Sequence, residues 1–264
     1  MSSSGSFGRD ALADDVLIKA MHAELTASGF DIFAAFPAGA YNNHEKIASK
    51  PELHIKAADD STLAVIVANS AALWDPFIRH VKSSDVGAAL VEHDDPLDEY
   101  TKAICTRVLA QVAPKEDVHI VYAFETLETT GRCCSVHTAG HVAGLAYYDA
   151  EHTMRSIHPN FGPWFGYRAV ITFPGRKWTK SLAPLPGDLP CPCPEEELKA
   201  VKEVQASVLG AWGTVPEKES WEGLLRVTDT FVIGKEHRYS EQQANFHYAP
   251  DATSRRTILR ESTD

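Results

Sequence analysis

The chain has 264 residues, 44% of them hydrophobic, and a formal net charge of −11 at pH 7. This length and hydrophobic content are sufficient to bury a core. The negative charge, which no block of Lys and Arg offsets, argues against nucleic acid and anionic membranes as partners.

Cysteine usage and the N-terminal sequence predict a cytosolic protein. The opening MSSSGS sequence has no basic region followed by an apolar run, and no later apolar run approaches membrane-spanning length. Five cysteines, an odd number, argue against a secreted disulfide framework and predict reduced thiols. We expect residues 1–9 to be disordered and residues 10–264 to form a single domain.

Helical and strand patterns alternate along the first two thirds of the chain. Apolar residues recur at helical spacing over 10–29, where Gly29 acts as a stop signal. The β-branched run Thr62–Ala68 predicts a strand that is covered on both faces. Further helices are predicted at 71–83 and 96–112, and further strands at 118–124 and 167–173.

The last third of the chain is predicted to be helical. It is preceded by the segment 181–194, whose prolines remove backbone donors and predict an extended loop. Helical spacing returns at 195–209, 221–232 and 240–246. The sequence therefore predicts an α+β sandwich with a helical C-terminal part, 195–264.

Two pairs of metal-ligating or redox-capable side chains do not by themselves indicate a function. His137 and His141 are four residues apart, a spacing that suits zinc on one helical face, and Cys134 lies just before them. The segment lacks the general-base Glu of a metalloprotease, so we favour polar lining of a pocket and predict no metal. Cys191 and Cys193 are consistent with either a redox pair or an exposed loop.

Nucleotide and hydrolase sites find no support in the sequence. It contains no glycine-rich phosphate loop and no Gly-x-Ser-x-Gly motif. The block 141–170 is more informative, because small residues such as Gly144 alternate with the flat side chains of Phe161, Trp164 and Tyr167. These residues form either an aromatic core at a sheet corner or the walls of a site for a large planar ligand.

This block resembles the central motif of the CblC (MMACHC) family. The sequence HVAGLAYY at 141–148 matches that family's His-Val-Ala-Gly-x-Ala-Tyr-Tyr, and IHPNFGPWF at 157–165 matches Ile-His-Pro-x-Phe-Gly-x-Trp-Phe. RYSEQQ at 238–243 resembles the family's Arg-Tyr-Ser-Glu-x-Gln, whereas Tyr41-Asn42 and Leu73–Phe77 fit more loosely. The resemblance spans nearly the whole chain, although 175–235 match poorly.

The resemblance implies a cobalamin-processing enzyme with a flavin nitroreductase-like fold. The family binds cobalamin in its base-off form and removes the upper axial ligand, by glutathione-dependent dealkylation of alkylcobalamins and by reductive decyanation of cyanocobalamin. Glutathione is then the co-substrate, FMN a further cofactor that the resemblance allows, and glutathione oxidation by oxygen a side activity. The resemblance also implies a CblD-type adaptor as a partner, and a monomer or a ligand-dependent homodimer.

The resemblance carries over specific site residues. Cobalamin contacts are expected at Cys134, Ser135, Val136, His137, His141, Tyr148, Asp149, Ala150, Ser156, Trp164 and Tyr167. Trp164 is expected to fill the space over the cobalt when no substrate is bound, and Ser156 stands where the family often has Cys. Arg168, Arg226 and Arg255 are expected to bind glutathione and assist catalysis, with Arg256 as an alternative register for Arg255. A surface salt bridge is the open alternative for each arginine.

Three other functions remain open. A flavin-dependent nitroreductase-like oxidoreductase would share the fold, since fold does not fix function. A non-catalytic carrier would bind cobalamin and pass it to a partner without removing the ligand. A structural zinc-site protein is the third alternative, and metal analysis would exclude it.

Overall fold

The structure is a computed structural model that describes residues 7–83, 85–179 and 189–263. Its helices and strands form two compact units. Among the described residues, the first compact unit comprises 7–69, 104–146, 167–179 and 189, and the second comprises 70–83, 85–103, 147–166 and 190–263. One of the boundaries between them, at 103/104, falls within the long helix α5 (Pro96–Val112). This division groups segments that lie close together in space. The single domain expected over 10–264 stays a prediction.

The first unit is built on a four-stranded sheet. Its strands are β1 (Ile32–Pro37), β2 (Thr62–Asn69), β3 (His119–Tyr122) and β6 (Gly166–Lys177), in the order β1-β2-β6-β3. Strand β2 pairs antiparallel with β1, from Ile32 opposite Ala68 to Pro37 opposite Leu63. Every residue of β2 is buried, as its continuous apolar pattern predicts for a strand covered on both faces.

Helices complete the first unit. They are α1 (Phe7–Ala27), α2 (Ala38–Asn42), α6 (Leu127–Thr130), α7 (Val136–Val142) and the later part of α5. Leu17, Met21 and Leu25 repeat every four residues along α1 and are all buried. Gly29, which has a φ of 91°, ends this segment as predicted, because glycine adopts the left-handed region without strain.

The second unit is mainly helical. It holds the hairpin of β4 (Tyr147–Asp149) and β5 (Arg155–Ile157), together with α3 (Trp74–Ser83), α4 (Asp85–Leu90), α8 (Glu195–Ala211), α9 (Glu217–Asp229), α10 (Glu241–His247) and α11 (Ala252–Thr263). One part of its core joins the hairpin to α8 and α9 through Ile157, Val201, Val208 and Val227. The prediction of a mixed α/β chain with a helical C-terminal region is confirmed.

Several element boundaries differ from the predicted ones. The helix expected at 221–232 runs from Glu217 to Asp229, because Pro216 occupies the N-cap and sets its start. The strand expected at 118–124 is shorter, His119–Tyr122. Of the loop expected at 181–194, residues 181–188 lie outside the described part, and 189–194 have no regular structure. The expected disordered segment 1–9 likewise falls largely outside it, and α1 begins at Phe7.

Candidate functional site

Helix α7 and its N-cap carry most of the first unit's predicted cobalamin contacts, and Tyr41 holds the start of the helix in place. The hydroxyl of Tyr41 accepts a hydrogen bond from the Ser135 backbone N–H at 2.8 Å and donates one to the Leu53 carbonyl at 3.1 Å. Ser135 is the N-cap, and its side chain accepts from the Thr138 N–H at 3.4 Å. A seven-residue helix is too short to be stable alone, so these contacts fix its position.

The two faces of α7 differ in accessibility. Thr138, Ala139 and Gly140 are buried. Four of the predicted cobalamin contacts on and beside the helix are half-buried, and these are Ser135, Val136, His137 and His141. The helix therefore presents a hydroxyl and two imidazoles on its accessible side, as the four-residue spacing of the histidines predicts.

Gly140 allows α7 to lie directly against strand β6. A Cβ at this position would stand 2.1 Å from the Tyr167 hydroxyl oxygen and 2.6 Å from two carbons of the ring. The same Tyr167 ring meets the His137 imidazole edge to face, with centroids 5.5 Å apart. The structure thus brings together His137 and Tyr167, two residues that the sequence places thirty positions apart.

Arg168 follows Tyr167 on β6 and points to the other face of the sheet, since successive strand residues alternate. Its Nε donates to the Asn69 Oδ1 at 2.5 Å, and Asn69 is fully buried at the end of β2. Arg168 itself is half-buried. The neutral amide fixes one edge of the guanidinium and so orients the fork.

The cysteines fall into two classes of exposure. All five are free thiols, of which Cys105, Cys134 and Cys193 are buried while Cys133 and Cys191 are half-buried. Burial raises the pKa of Cys105 to about 12. Burial, helped by Cys133 and Glu125, likewise raises the pKa of Cys134 to about 12. Burial, Glu197 and Cys191 raise the pKa of Cys193 as well.

We therefore expect iodoacetamide at pH 8 to label Cys133 and Cys191 well before the three buried thiols. A thiol whose pKa is near 12 has a thiolate fraction of only about one in ten thousand at pH 8, and the thiolate is the reacting form. Peptide mass spectrometry of timed, quenched samples measures the five rates. The control is the same reaction in urea, where all five rates should converge. Labelling of native Cys134 as fast as Cys133 would contradict the burial described above.

The hairpin β4–β5 carries four predicted cobalamin contacts of the second unit. Tyr148 and Ser156 lie directly opposite each other in the ladder, so their side chains share a face. Asp149 is buried and accepts from both the N–H and the hydroxyl of Thr153, at 3.1 and 2.9 Å. Its carboxylate therefore shapes the turn that follows Ala150.

Arg155, which the sequence did not single out, anchors this hairpin to α8 and α9. Its guanidinium donates to the Thr228 hydroxyl at 3.0 Å, to the Leu224 carbonyl at 3.4 Å and to the Gln205 Oε1 at 3.5 Å. The amide of Gln205 donates in turn to the Thr153 carbonyl at 2.9 Å. The sequence around Arg155 is mostly polar and does not reveal neutral partners fifty or more positions away.

Trp164, the remaining predicted contact of the second unit, is buried to 1% exposure. Its ring meets Tyr239 edge to face, with centroids 5.5 Å apart, and lies 5.3 Å from the guanidinium carbon of Arg238. Its indole Nε1 has no hydrogen-bond partner within the described residues. Arg238 and Tyr239, the first two residues of the motif at 238–243, thus both contact the Trp164 ring.

The three C-terminal arginines differ in their surroundings. Arg226 is exposed on α9. Arg255 pairs with Asp95 at 3.1 Å, and Arg256 with Asp94 at 2.6 Å. Surface ion pairs of this kind are the alternative to glutathione binding that the sequence left open. The roles of all three arginines in binding glutathione stay predictions.

Comparison with protein families identifies the chain. The Methylmalonic aciduria and homocystinuria type C (MMACHC) family matches residues 29–259. The chain belongs to this family. The resemblance predicted from the motifs at 141–165 and 238–243 is thereby confirmed.

Curated relatives of this MMACHC-family chain share one description. The chain is 25% identical over 259 residues to a zebrafish (Danio rerio) protein named cyanocobalamin reductase / alkylcobalamin dealkylase, covering 93% of this chain and 92% of that protein. A chicken (Gallus gallus) protein of the same name is 27% identical over 170 residues, 58% of this chain and 66% of its own length. The human protein of that name is 29% identical over 126 residues, 43% of each chain.

A solved structure shows the same fold. It is described as the crystal structure of a C. elegans B12-trafficking protein CblC, a human MMACHC homologue, and it superposes with a TM-score of 0.69 at 19% identity. The match covers 96% of this chain and 98% of the nematode chain. The arrangement of helices and strands described above is therefore that of a CblC structure.

The described residues contain neither a cluster of metal-ligating side chains nor a membrane-spanning helix. Over 7–83, 85–179 and 189–263, no group of three or more His, Cys, Asp or Glu side chains could hold a metal ion. In the same part of the chain, no helix is both long and apolar enough to cross a membrane.

Proposed function

We propose that this protein binds cobalamin in its base-off form and removes its upper axial ligand. The observation that carries the proposal is the accessible side of α7, which offers Ser135, His137 and His141 and ends in the first residues of the MMACHC-family motif at 141–148. The curated relatives named cyanocobalamin reductase / alkylcobalamin dealkylase support the same chemistry here.

Cobalamin suits the polar groups on these elements. Its corrin ring is rimmed with amide side chains, which both donate and accept hydrogen bonds. The imidazoles of α7 and the hydroxyls of Tyr148 and Ser156, which share one face of the hairpin, match those amides. Cys134, Val136, Asp149, Ala150 and Tyr167 are proposed to contact the ligand beside them, with Trp164 over the cobalt when no substrate is bound.

The protein contributes geometry and the corrin contributes the reactivity of cobalt. Holding cobalamin without its lower base stabilises cobalt of lower valence and lower coordination number, so the upper ligand departs more easily. We infer that the fold serving this task is the flavin nitroreductase-like sandwich of the family.

Glutathione is the proposed acceptor of the alkyl group. It carries two carboxylates, and arginine binds carboxylates through a planar fork. Arg168 is the first candidate, with Arg226 and either Arg255 or Arg256 as the others. A cationic neighbour also favours the glutathione thiolate over the thiol. The thiolate attacks the alkyl carbon, a carbon–sulfur bond forms, and the electron pair of the cobalt–carbon bond stays on cobalt to give cob(I)alamin.

Decyanation requires a different route, since cyanide leaves only when cobalt is reduced. Glutathione is one electron source, two molecules giving one disulfide and two electrons, and a reduced flavin such as FMN is another. Oxygen returns cob(I)alamin to an oxidised state, so continued supply of glutathione would turn the protein into a thiol oxidase. The resemblance also supports a cytoplasmic location, a CblD-type adaptor, and either a monomer or a ligand-dependent homodimer, as parts of the same proposal.

The visible spectrum of methylcobalamin tests the proposal. We expect purified protein to shift methylcobalamin to its base-off spectrum, and anaerobic glutathione then to produce cob(I)alamin. The oxidised disulfide form of glutathione, which has no thiol to attack with, serves as the matched control and should leave the base-off spectrum unchanged.

The other outcomes separate the alternatives. A base-off shift that glutathione does not change would contradict the dealkylase and leave a cobalamin carrier. No shift at all, with a yellow protein, would favour the flavin-dependent oxidoreductase.

A further inference from the structure

The indole of Trp164 is buried among Tyr239, Ala244, Ala71 and Leu225 of the second unit. Its ring lies 5.3 Å from the guanidinium carbon of Arg238 and meets the Tyr239 ring edge to face at 5.5 Å. A cation over the face of an indole is attracted by the ring's negative face. Arg238 therefore stabilises the enclosed position of this ring.

Arg238 is in turn fixed by Asp229, the last residue of α9. Its Nε donates to Oδ1 of Asp229 at 2.5 Å and its Nη2 to Oδ2 at 3.0 Å. The remaining nitrogen, Nη1, donates to the Tyr239 carbonyl at 3.1 Å. A guanidinium held on both edges keeps its plane, so the position of the charge relative to Trp164 is set by α9.

The backbones beneath these side chains are in direct contact. Gly162 and Gly234 have φ angles of 54° and 72°, which favour glycine. A Cβ on Gly162 would stand 2.1 Å from the Ile233 carbonyl oxygen, and one on Gly234 would stand 2.2 Å from the Phe161 carbonyl carbon. The two loops are therefore closely packed, and the movement of Trp164 that concerns us here is one of its side chain.

One polar group of Trp164, the indole N–H, disfavours the enclosed position of the ring. Its Nε1–H is buried and has no acceptor in the described parts of the chain. A buried donor without an acceptor is destabilising, and a ring that swings towards water recovers that hydrogen bond. Apolar packing and the contact with Arg238 thus hold the ring inward, and the unsatisfied indole N–H opposes that position.

We propose that Asp229 and Arg238 are positioning residues that hold Trp164 inward and so set how large an upper axial ligand the protein accepts. This inference rests on the proposed function, in which Trp164 fills the space over the cobalt in the absence of substrate. A small ligand needs a modest displacement of the ring, whereas a bulky one needs the ring to leave. The contact with Arg238 therefore discriminates against bulky ligands.

The test compares two alkylcobalamins of different size, methylcobalamin and adenosylcobalamin, with anaerobic glutathione. For Asp229→Asn and Arg238→Lys, we expect the ratio of kcat/KM for adenosylcobalamin to kcat/KM for methylcobalamin to rise roughly threefold to tenfold. Both variants keep a polar side chain but lose the two-bond, charge-paired geometry. Arg260→Gln is the matched control, because Arg260 pairs at the surface with Glu92 at 2.8 Å, and its ratio should equal that of the wild type.

A second variant covers the case in which Asp229→Asn and Arg238→Lys fail to fold. Trp164→Phe keeps an aromatic ring but has a weaker attraction for a cation, and we expect it to raise the same ratio. Folded variants that lower both rates equally, or leave the ratio unchanged, overturn the positioning role. A wild-type protein that leaves methylcobalamin base-on contradicts the proposed function itself and this inference with it.

Discussion

Replacing Gly140 with alanine is expected to destabilise the protein and to weaken cobalamin binding at least tenfold. The new Cβ would stand 2.1 Å from the Tyr167 hydroxyl oxygen, so α7 or the ring has to move. Overpacking of this kind costs about 3 kcal/mol. Alanine returns about 1 kcal/mol through its better helix propensity. The net loss displaces the helix that carries Ser135, His137 and His141.

Gly210→Ala is the matched control for this change. Gly210 lies within α8, and nothing lies within 4 Å of the Cβ that alanine would add. We expect this variant to unfold at the same temperature as the wild type or slightly above it, because only the helix propensity changes. Thermal unfolding and titration of methylcobalamin, followed by its base-off spectrum, measure both properties. Equal stability and equal cobalamin affinity of Gly140→Ala and the wild type would refute the close packing of α7 on β6.

Replacing Arg168 with alanine is expected to raise the KM for glutathione between about tenfold and a hundredfold. A hydrogen bond to a charged group contributes about 1.5–3 kcal/mol, which corresponds to that range. The base-off spectrum should still form, because the proposed cobalamin contacts are on other residues. Steady-state dealkylation of methylcobalamin at varied glutathione concentrations measures the effect.

Two controls separate glutathione binding from the stability of the sheet. Arg176 stands on the same strand and pairs with Glu116 at 2.7 Å, so Arg176→Ala removes an arginine from β6 without touching Asn69. We expect its KM for glutathione to stay at the wild-type value. Arg168→Lys should restore part of the affinity, since lysine keeps the charge but lacks the planar fork. If Arg168→Ala and Arg176→Ala had the same KM, Arg168 would not bind glutathione.

The elements with strong local patterns could be predicted from the sequence. Helix α5 has its predicted bounds, 96–112, because a proline start and regular apolar spacing are local signals. Strand β1, with two alanines and a final proline, and the three-residue strands β4 and β5 have no such signal. Their formation depends on neighbouring strands that only the folded chain brings close.

The candidate site likewise contains residues that the sequence could predict and contacts that it could not. The histidines of α7 could be predicted from a motif, because helical spacing alone places His137 and His141 on one side. The contacts that fix the site could not, since Tyr41 bonds to Ser135, 94 positions away, and Arg155 bonds to Thr228, 73 positions away. Arg255 and Arg256 are a further case. The sequence left a salt bridge open for each, but it could not show that the partners are the aspartates at 94–95.

One hydroxyl group couples two distant segments of the first unit. Tyr41 is completely buried and bridges the Leu53 carbonyl and the Ser135 amide, the latter 94 positions along the chain. Asn42 ties down the same region by exchanging two hydrogen bonds with the Ile55 backbone, each at 3.0 Å. Fluctuations that expose the Ser135 amide to solvent must therefore release the Tyr41 hydroxyl as well. The segment 53–55 and the start of α7 thus form one cooperative unit, whose amide protons should exchange with solvent together.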